Sequence, residues 1–148
     1  EWQRQLELAL ARVRRSGQPL SVIVIDVDGL KRLNDEEGHA AGDALLRRVS
    51  GRWLSALREI DYLGRLGGDE FAVILEGSDE PDAAVVLERL VGVLDADDNA
   101  SAGTATWDGA EDGQSLTARA DAAMYVDKRG RGRERAWPPR LADDRLAS

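Results

Sequence analysis

Between Leu20 and Ile25 the chain runs through an apolar stretch rich in Val and Ile. It is bounded by the turn signal Ser16-Gly17-Gln18-Pro19 before it and by Asp26-Val27-Asp28-Gly29 after it. That pattern describes a strand with both faces covered, and such a strand needs apolar layers on each side. The rest of the sequence supplies them. Trp2 to Arg15 reads as an amphipathic helix, with Leu6, Leu10 and Val13 at helical spacing. A short helical stretch follows from Leu30 to Asn34. A longer helix spans about Gly42 to Leu57, where Leu45, Val49, Trp53 and Leu57 fall four apart. Ile60 to Leu66 and Phe71 to Leu75 read as two strands flanking Gly67-Gly68-Asp69-Glu70, and Gly-Gly is a hairpin signal. Asp79-Glu80-Pro81 opens a further helix with Ala83, Val86, Leu87, Leu90, Val91 and Leu94 on its apolar side. Asn99 to Trp107 is read as a strand, Ser115 to Lys128 as the last helix, and Glu134 to Trp137 as a short edge strand. Strands interleaved with helices, one hairpin among them, predict an α/β (α+β) sandwich with a mixed central sheet.

At 148 residues the chain is one domain's worth, large enough to bury a core without staples. The 28 acidic residues outweigh the 20 Lys and Arg, for a net charge of −8. That excess argues against a surface built to coat nucleic acid or anionic lipid. It leaves room for a small anionic ligand held by a metal and a few placed cations. With no cysteine, disulfides, thiolate metal sites and cysteine nucleophiles are excluded, and one histidine, His39, excludes His-rich zinc sites. His39 reads as a structural turn residue. No apolar run approaches a membrane span and no signal peptide is visible, so a cytoplasmic location is expected. The first residue is Glu1 rather than Met, so the chain is expected to be cut from a longer protein, which could itself be membrane-anchored elsewhere.

Two acidic clusters concentrate the chemistry: Asp26 and Asp28 at the end of the buried strand, and Asp69-Glu70 at the hairpin tip. Taken singly, each reads as a solvated cap. Together they offer converging oxygens of the kind a hard divalent cation needs, with water and substrate phosphate completing the shell. The Val27 carbonyl can add a backbone ligand, and a tight Gly67-Gly68 turn lets a phosphate or base approach the backbone closely.

Three blocks then carry a resemblance. Asp26-Val27-Asp28-Gly29-Leu30-Lys31-Arg32-Leu33-Asn34-Asp35, followed by Gly38-His39 and Gly42-Asp43, resembles the first signature of GGDEF-domain diguanylate cyclases. Arg65-Leu66-Gly67-Gly68-Asp69-Glu70-Phe71 contains the name-giving motif unbroken, and Ala120-Asp121-Ala122-Ala123-Met124-Tyr125 with Lys128 is similar to the late helix of that family. The resemblance covers roughly residues 1 to 135. It implies a polymerase-palm, ferredoxin-like domain with an about five-stranded sheet, which condenses two GTP into cyclic di-GMP and releases pyrophosphate. It further implies Asp26, the Val27 carbonyl and Asp69 as ligands of Mg²⁺ or Mn²⁺, and Asp69, Glu70 and Lys31 as catalytic residues, with Glu70 handling the attacking 3′-hydroxyl. Asn34 and Asp43 match the guanine readers. Lys31 and Lys128 match the triphosphate contacts, along with the backbone near Gly29 and Leu30 and the Gly67-Gly68 turn.

Two departures stand out. Gly29 and Leu30 replace the bulkier residues of many members. The run Lys128-Arg129-Gly130-Arg131-Gly132-Arg133 is one residue short, so either Arg131 or Arg133 takes the place of the phosphate-binding arginine. The expected organisation is a linker helix over 1–16, the GGDEF catalytic domain over 17–137 and a tail over 138–148. Partners expected from the resemblance are GTP, cyclic di-GMP as product and inhibitor, a second copy for catalysis and an upstream sensory or regulatory domain. Arg58-Glu59-Ile60-Asp61 resembles the family's inhibitory RxxD site, and Arg89 its second arginine, reaching the product from a partner domain. The competing readings are a catalytically silent GGDEF-like receptor for GTP or cyclic di-GMP, and a palm-fold transferase for another nucleotide. Asp43 argues against adenine, which offers no matching pair of donors.

Overall fold

The apolar run forms β1 (Leu20–Val27), buried at every position. The computed structural model describes residues 1–135. Its other strands are β2 (Tyr62–Gly67), β3 (Glu70–Glu76) and β4 (Ala100–Thr106), and the sheet order is β2-β3-β1-β4. Five helices accompany them: α1 (Trp2–Ser16), α2 (Leu30–Glu37), α3 (His39–Ala56), α4 (Glu80–Gly92) and α5 (Gly113–Arg135). The fold is α+β, as the pattern implied.

Alternation along the strands sorts the core into two layers. Ile23, Ile25 and Val27 of β1 join Phe71, Val73 and Leu75 of β3 against Leu45, Val49 and Trp53 of α3 and Ala83, Val86 and Leu90 of α4. Val22 and Val24 join Ala72, Ile74 and Ala105 against Leu6, Leu10 and Val13 of α1 and Leu116, Ala120 and Met124 of α5. Each fully buried Leu, Ile or Val adds roughly 1.5–3 kcal/mol of transfer free energy. The residues expected to form a linker helix thus lay an apolar stripe on the sheet. The indole N–H of Trp53 donates to the Leu90 carbonyl at 2.9 Å and locks α3 to α4.

The sheet differs from expectation in two ways. It is antiparallel throughout rather than mixed, because each helical crossover skips a strand. β1 and β2 run the same way but β3 lies between them; β3 and β4 run the same way but β1 lies between them. Among the described residues it has four strands, not five. Glu134 and Arg135, read as part of an edge strand, continue α5, where Arg-rich sequence suits a helix C-terminus. Ala136, Trp137 and the expected tail lie outside the described residues. Helix α2 also runs three residues past Asn34, and α3 begins at His39 rather than Gly42. Among the described residues no helix is long and apolar enough to cross a membrane.

Helix α5 presses directly on β4 at Gly103. A Cβ there would lie 2.1 Å from the Met124 backbone nitrogen and 2.7 Å from the Ala120 carbonyl oxygen. Backbone cannot yield as a side-chain end can, so Gly103→Ala should cost about 3 kcal/mol or more, a drop of about 6–12 °C in the unfolding midpoint for a domain of this size. Gly51→Ala is the opposite case. Gly51 sits inside α3 with open space around it, and added helix propensity should stabilise by about 0.5–1 kcal/mol. Thermal unfolding of both variants checks the pair of opposite signs.

Candidate functional site

Even-numbered residues of β1 face α5, so Asp26 continues the Val22, Val24 series and ends it with a charge. Asp26 is 6% exposed. Its register partner on β3 is Glu70, which by the same alternation faces the same side. The Lys128 ammonium, carried by α5, donates to Asp26 Oδ2 at 2.5 Å, while Asp26 Oδ1 is buried with no hydrogen-bond partner. Burial pushes the Asp26 carboxyl up to about 6, with Lys128 opposing and Asp69 adding to the rise. The Lys128 ammonium is held above its ordinary range by that same hydrogen bond.

Gly67 and Glu70 belong to the strands rather than the turn, and pair with each other across a register shift that follows Arg65. Gly68 and Asp69 make the tip. The Val27 N–H donates to the Asp69 carbonyl at 2.9 Å, which ties the tip to the end of β1. Arg65 Nε donates to the Gly68 carbonyl at 2.9 Å and stiffens the turn. Phe71 packs edge-on against Trp53, with centroids 5.4 Å apart, so the last letter of the motif serves the core. Burial and the neighbouring Asp121, then Asp26 and Asp69, push the Glu70 carboxyl up to about 7.

Gly29, Leu30, Lys31, Asn34 and Asp43, expected to meet nucleotide, lie at the start of α2 and along α2 and α3, the two helices that follow β1. Gly29 caps α2, Leu30 is buried behind it, and Lys31 is exposed on its first turn. The Asn34 side chain lies against Gly42, where a Cβ would sit 1.8 Å from Asn34 Oδ1. Asp43, the next residue along α3, is exposed, and Asn34 Oδ1 is buried without a partner. The side chains of Arg131 and Arg133 lie outside what is described. Sequence reasoning gave no role to Asp121, Ser101 or Arg65. Asp121 acts on Glu70, Ser101 donates to Asp28 Oδ1 at 3.1 Å, and Arg65 holds the turn. Asp121 is half-buried on the last helix and stands inside the third block of the resemblance, which were the available signals; nothing marked Ser101.

Arg58 and Asp61 are brought together. Arg58 Nη2 donates to Asp61 Oδ1 at 2.8 Å and to the Glu76 carbonyl at 3.1 Å, and the Asp61 carboxylate is fully buried. Arg89 instead lines a cavity of about 620 Å³ between α3 and α4, with Arg48, Arg52 and Ser55 among its walls and neither Arg58 nor Asp61.

The donor set suits a divalent cation. A buried carboxylate oxygen stands unpartnered, and acids at adjoining strand ends push each other's protonation upward. Among the described residues no group of three or more His, Cys, Asp or Glu gathers closely enough to bind an ion by side chains alone. A backbone carbonyl, water and ligand oxygens would therefore have to complete the shell, as hard cations accept.

Between about pH 4 and 7 the folded protein holds protons on Asp26 and Glu70 more tightly than the unfolded chain does, so their contribution to stability falls as pH rises through that window. In metal-free buffer, Glu70→Gln should therefore raise stability at pH 8, on the order of 1 kcal/mol, and have little effect at pH 5. Unfolding midpoints at the two values check the sign.

The family described as "Diguanylate cyclase, GGDEF domain" matches residues 1–135. Diguanylate cyclase DosC of Escherichia coli K12 is 38% identical over 144 residues, covering 89% of this chain and 31% of that protein. The chain thus spans about a third of that relative's length. The GGDEF domain of YfiN (TpbB) from Pseudomonas aeruginosa aligns with a TM-score of 0.82 and 33% identity, over 87% of this chain and 88% of that one. The GGDEF domain of DgcB from Caulobacter crescentus, solved in complex with c-di-GMP, aligns with a TM-score of 0.81 and 30% identity, over 87% and 83% of the two chains. With Gly67-Gly68-Asp69-Glu70-Phe71 intact at the head of the β2–β3 hairpin, these matches make the chain a member of the GGDEF family of diguanylate cyclases.

Proposed function

We propose that this chain is an active diguanylate cyclase domain, which joins two GTP molecules into cyclic di-GMP and releases pyrophosphate. The observation that carries the reading is the buried Asp26, in register with Glu70 and paired with Lys128 at one end of the sheet. Asp26, Asp69 and the Val27 carbonyl would hold Mg²⁺ or Mn²⁺. Such an ion, when bound, neutralises phosphate charge and holds attacking and leaving oxygens in place.

The chain's own residues do the rest. A carboxyl titrating near neutrality suits the removal of a proton from a 3′-hydroxyl, which is the role of Glu70. Lys31, Lys128 and one of Arg131 and Arg133 meet the triphosphate, and the amides behind Gly29 and Leu30 and the Gly67-Gly68 turn cradle it. Asn34 and Asp43 read guanine, Asp43 by accepting from its N1 and N2 hydrogens. One domain holds one GTP and the product needs two, so two copies meet across the ligands and proximity supplies much of the rate. Helix α1 is the candidate link to an upstream regulatory domain.

Incubation with GTP and Mg²⁺ or Mn²⁺, followed by chromatography, should yield cyclic di-GMP and pyrophosphate, at a rate per chain that rises with protein concentration. Asp69→Asn keeps the shape and removes charge, and should lower the rate by at least about 100-fold, roughly 3 kcal/mol of transition-state stabilisation, with the fold intact. Normal turnover in folded Asp69→Asn would sink the assignment. GTP binding without product would favour the receptor reading.

The RxxD pair supports feedback inhibition. Arg58 can fork onto a guanine edge or phosphate and Asp61 can accept from guanine, provided the product displaces the contact the two now make. Arg89 would reach the product from a second copy. Arg58→Ala should raise the cyclic di-GMP concentration for half-inhibition at least about tenfold, a loss of about 1.4 kcal/mol in binding. Each protein is measured against its own uninhibited rate, and equal inhibition of both removes the role.

A further inference from the structure

We propose that Lys128 is a built-in competitor of the divalent cation: in the nucleotide-free protein it occupies Asp26, and it leaves at little cost once a triphosphate offers it other oxygens. The inference rests on the functional reading above and concerns the order in which that site fills. Asp26 is 6% exposed, and its Oδ2 accepts the Lys128 ammonium at 2.5 Å. A cation bound to the same carboxylate, whether on the unpartnered Oδ1 or on Oδ2, would share one negative charge with that ammonium at short range, where like charges repel even at an effective dielectric of about 20. The two cannot both sit on Asp26 at little cost. No covalent or backbone restraint keeps Lys128 there. Its side chain is 41% exposed and ends a flexible four-carbon stem on α5, so it can swing outward without disturbing the core.

Two consequences follow. Divalent metal binds the empty protein weakly, because it must first displace an internal cation. Metal and nucleotide then bind with positive coupling, because triphosphate oxygens take the ammonium that the metal evicts, and such coupling is reciprocal. Lys128 is in this sense a positioning residue for the metal as well as a phosphate contact.

The test is Mn²⁺ titration of the whole, nucleotide-free chain, read by the electron paramagnetic resonance signal of free Mn²⁺. Lys128→Met should bind Mn²⁺ at least tenfold more tightly than the unaltered protein, and Lys128→Arg, which keeps the charge, should stay within about twofold of it. Lys128→Gln serves the same comparison if the Met variant does not fold. Mn²⁺ binding that is unchanged or weaker without the lysine charge would overturn the proposal. Asp26→Asn in the Lys128→Met background separates the two readings. If the tight binding vanishes, the ion was on Asp26 and the competition stands. If tight binding persists, the ion lies elsewhere, and both the assigned metal site and the competition at Asp26 fall. Asp26-dependent binding with no effect of Lys128 overturns only the competition.

Discussion

A carboxylate withdrawn from water needs a counter-charge, and in this protein that need joins the beginning of the fold to its end. Asp26 closes the central strand, and the cation that answers it comes from α5, 102 residues later. For the ammonium to reach, α5 must lie flat on β4, and it does so because residue 103 has no side chain to hold it off. Glu70 reaches the same place because β3 pairs with β1 in a register that sets it opposite Asp26. Lifting α5 off β4 would take the counter-charge away from a buried carboxylate, which is costly.

The layering was legible from one strand. A run apolar on both parities demands cover on both sides, and the helical stripes of Leu6, Leu10 and Val13 and of Leu45, Val49 and Trp53 supply it. Pairing directions were not legible. A crossover helix brings back a parallel strand, and only the insertion of β3 between β1 and β2, and of β1 between β3 and β4, makes every neighbour antiparallel. Local pattern has no access to that insertion. The helix that runs on to Arg135 was missed for a similar reason. Gly130 and Gly132 signal a break, and the cost of about 1 kcal/mol each did not end the helix.

Much of the candidate site was legible because its residues cluster in short motifs at element ends. The partnerships were not. Lys128 on Asp26, Asp121 beside Glu70 and Ser101 on Asp28 each join residues distant in sequence, and each depends on which face of a strand or helix a side chain occupies. Arg58 and Asp61 lie at a spacing that suggested a shared ligand, and the two bond to each other. A half-exposed arginine over a fully buried carboxylate is a self-satisfied arrangement that any incoming guanine must open.

The position of β1 at the centre of the sheet has a consequence for synthesis on the ribosome. The strand emerges early, while its neighbours emerge much later: Ser21 meets Thr106 after a separation of 85 residues, and Asp26 meets Lys128 after 102. At about 5–20 residues per second, the most apolar segment of the chain waits on the order of 5–20 s for the last of its partners. Until β3 emerges both edges of β1 are open templates for other strands, and the edge that β4 will cover stays open longer. The early part of this domain cannot complete its sheet until β4 has been made.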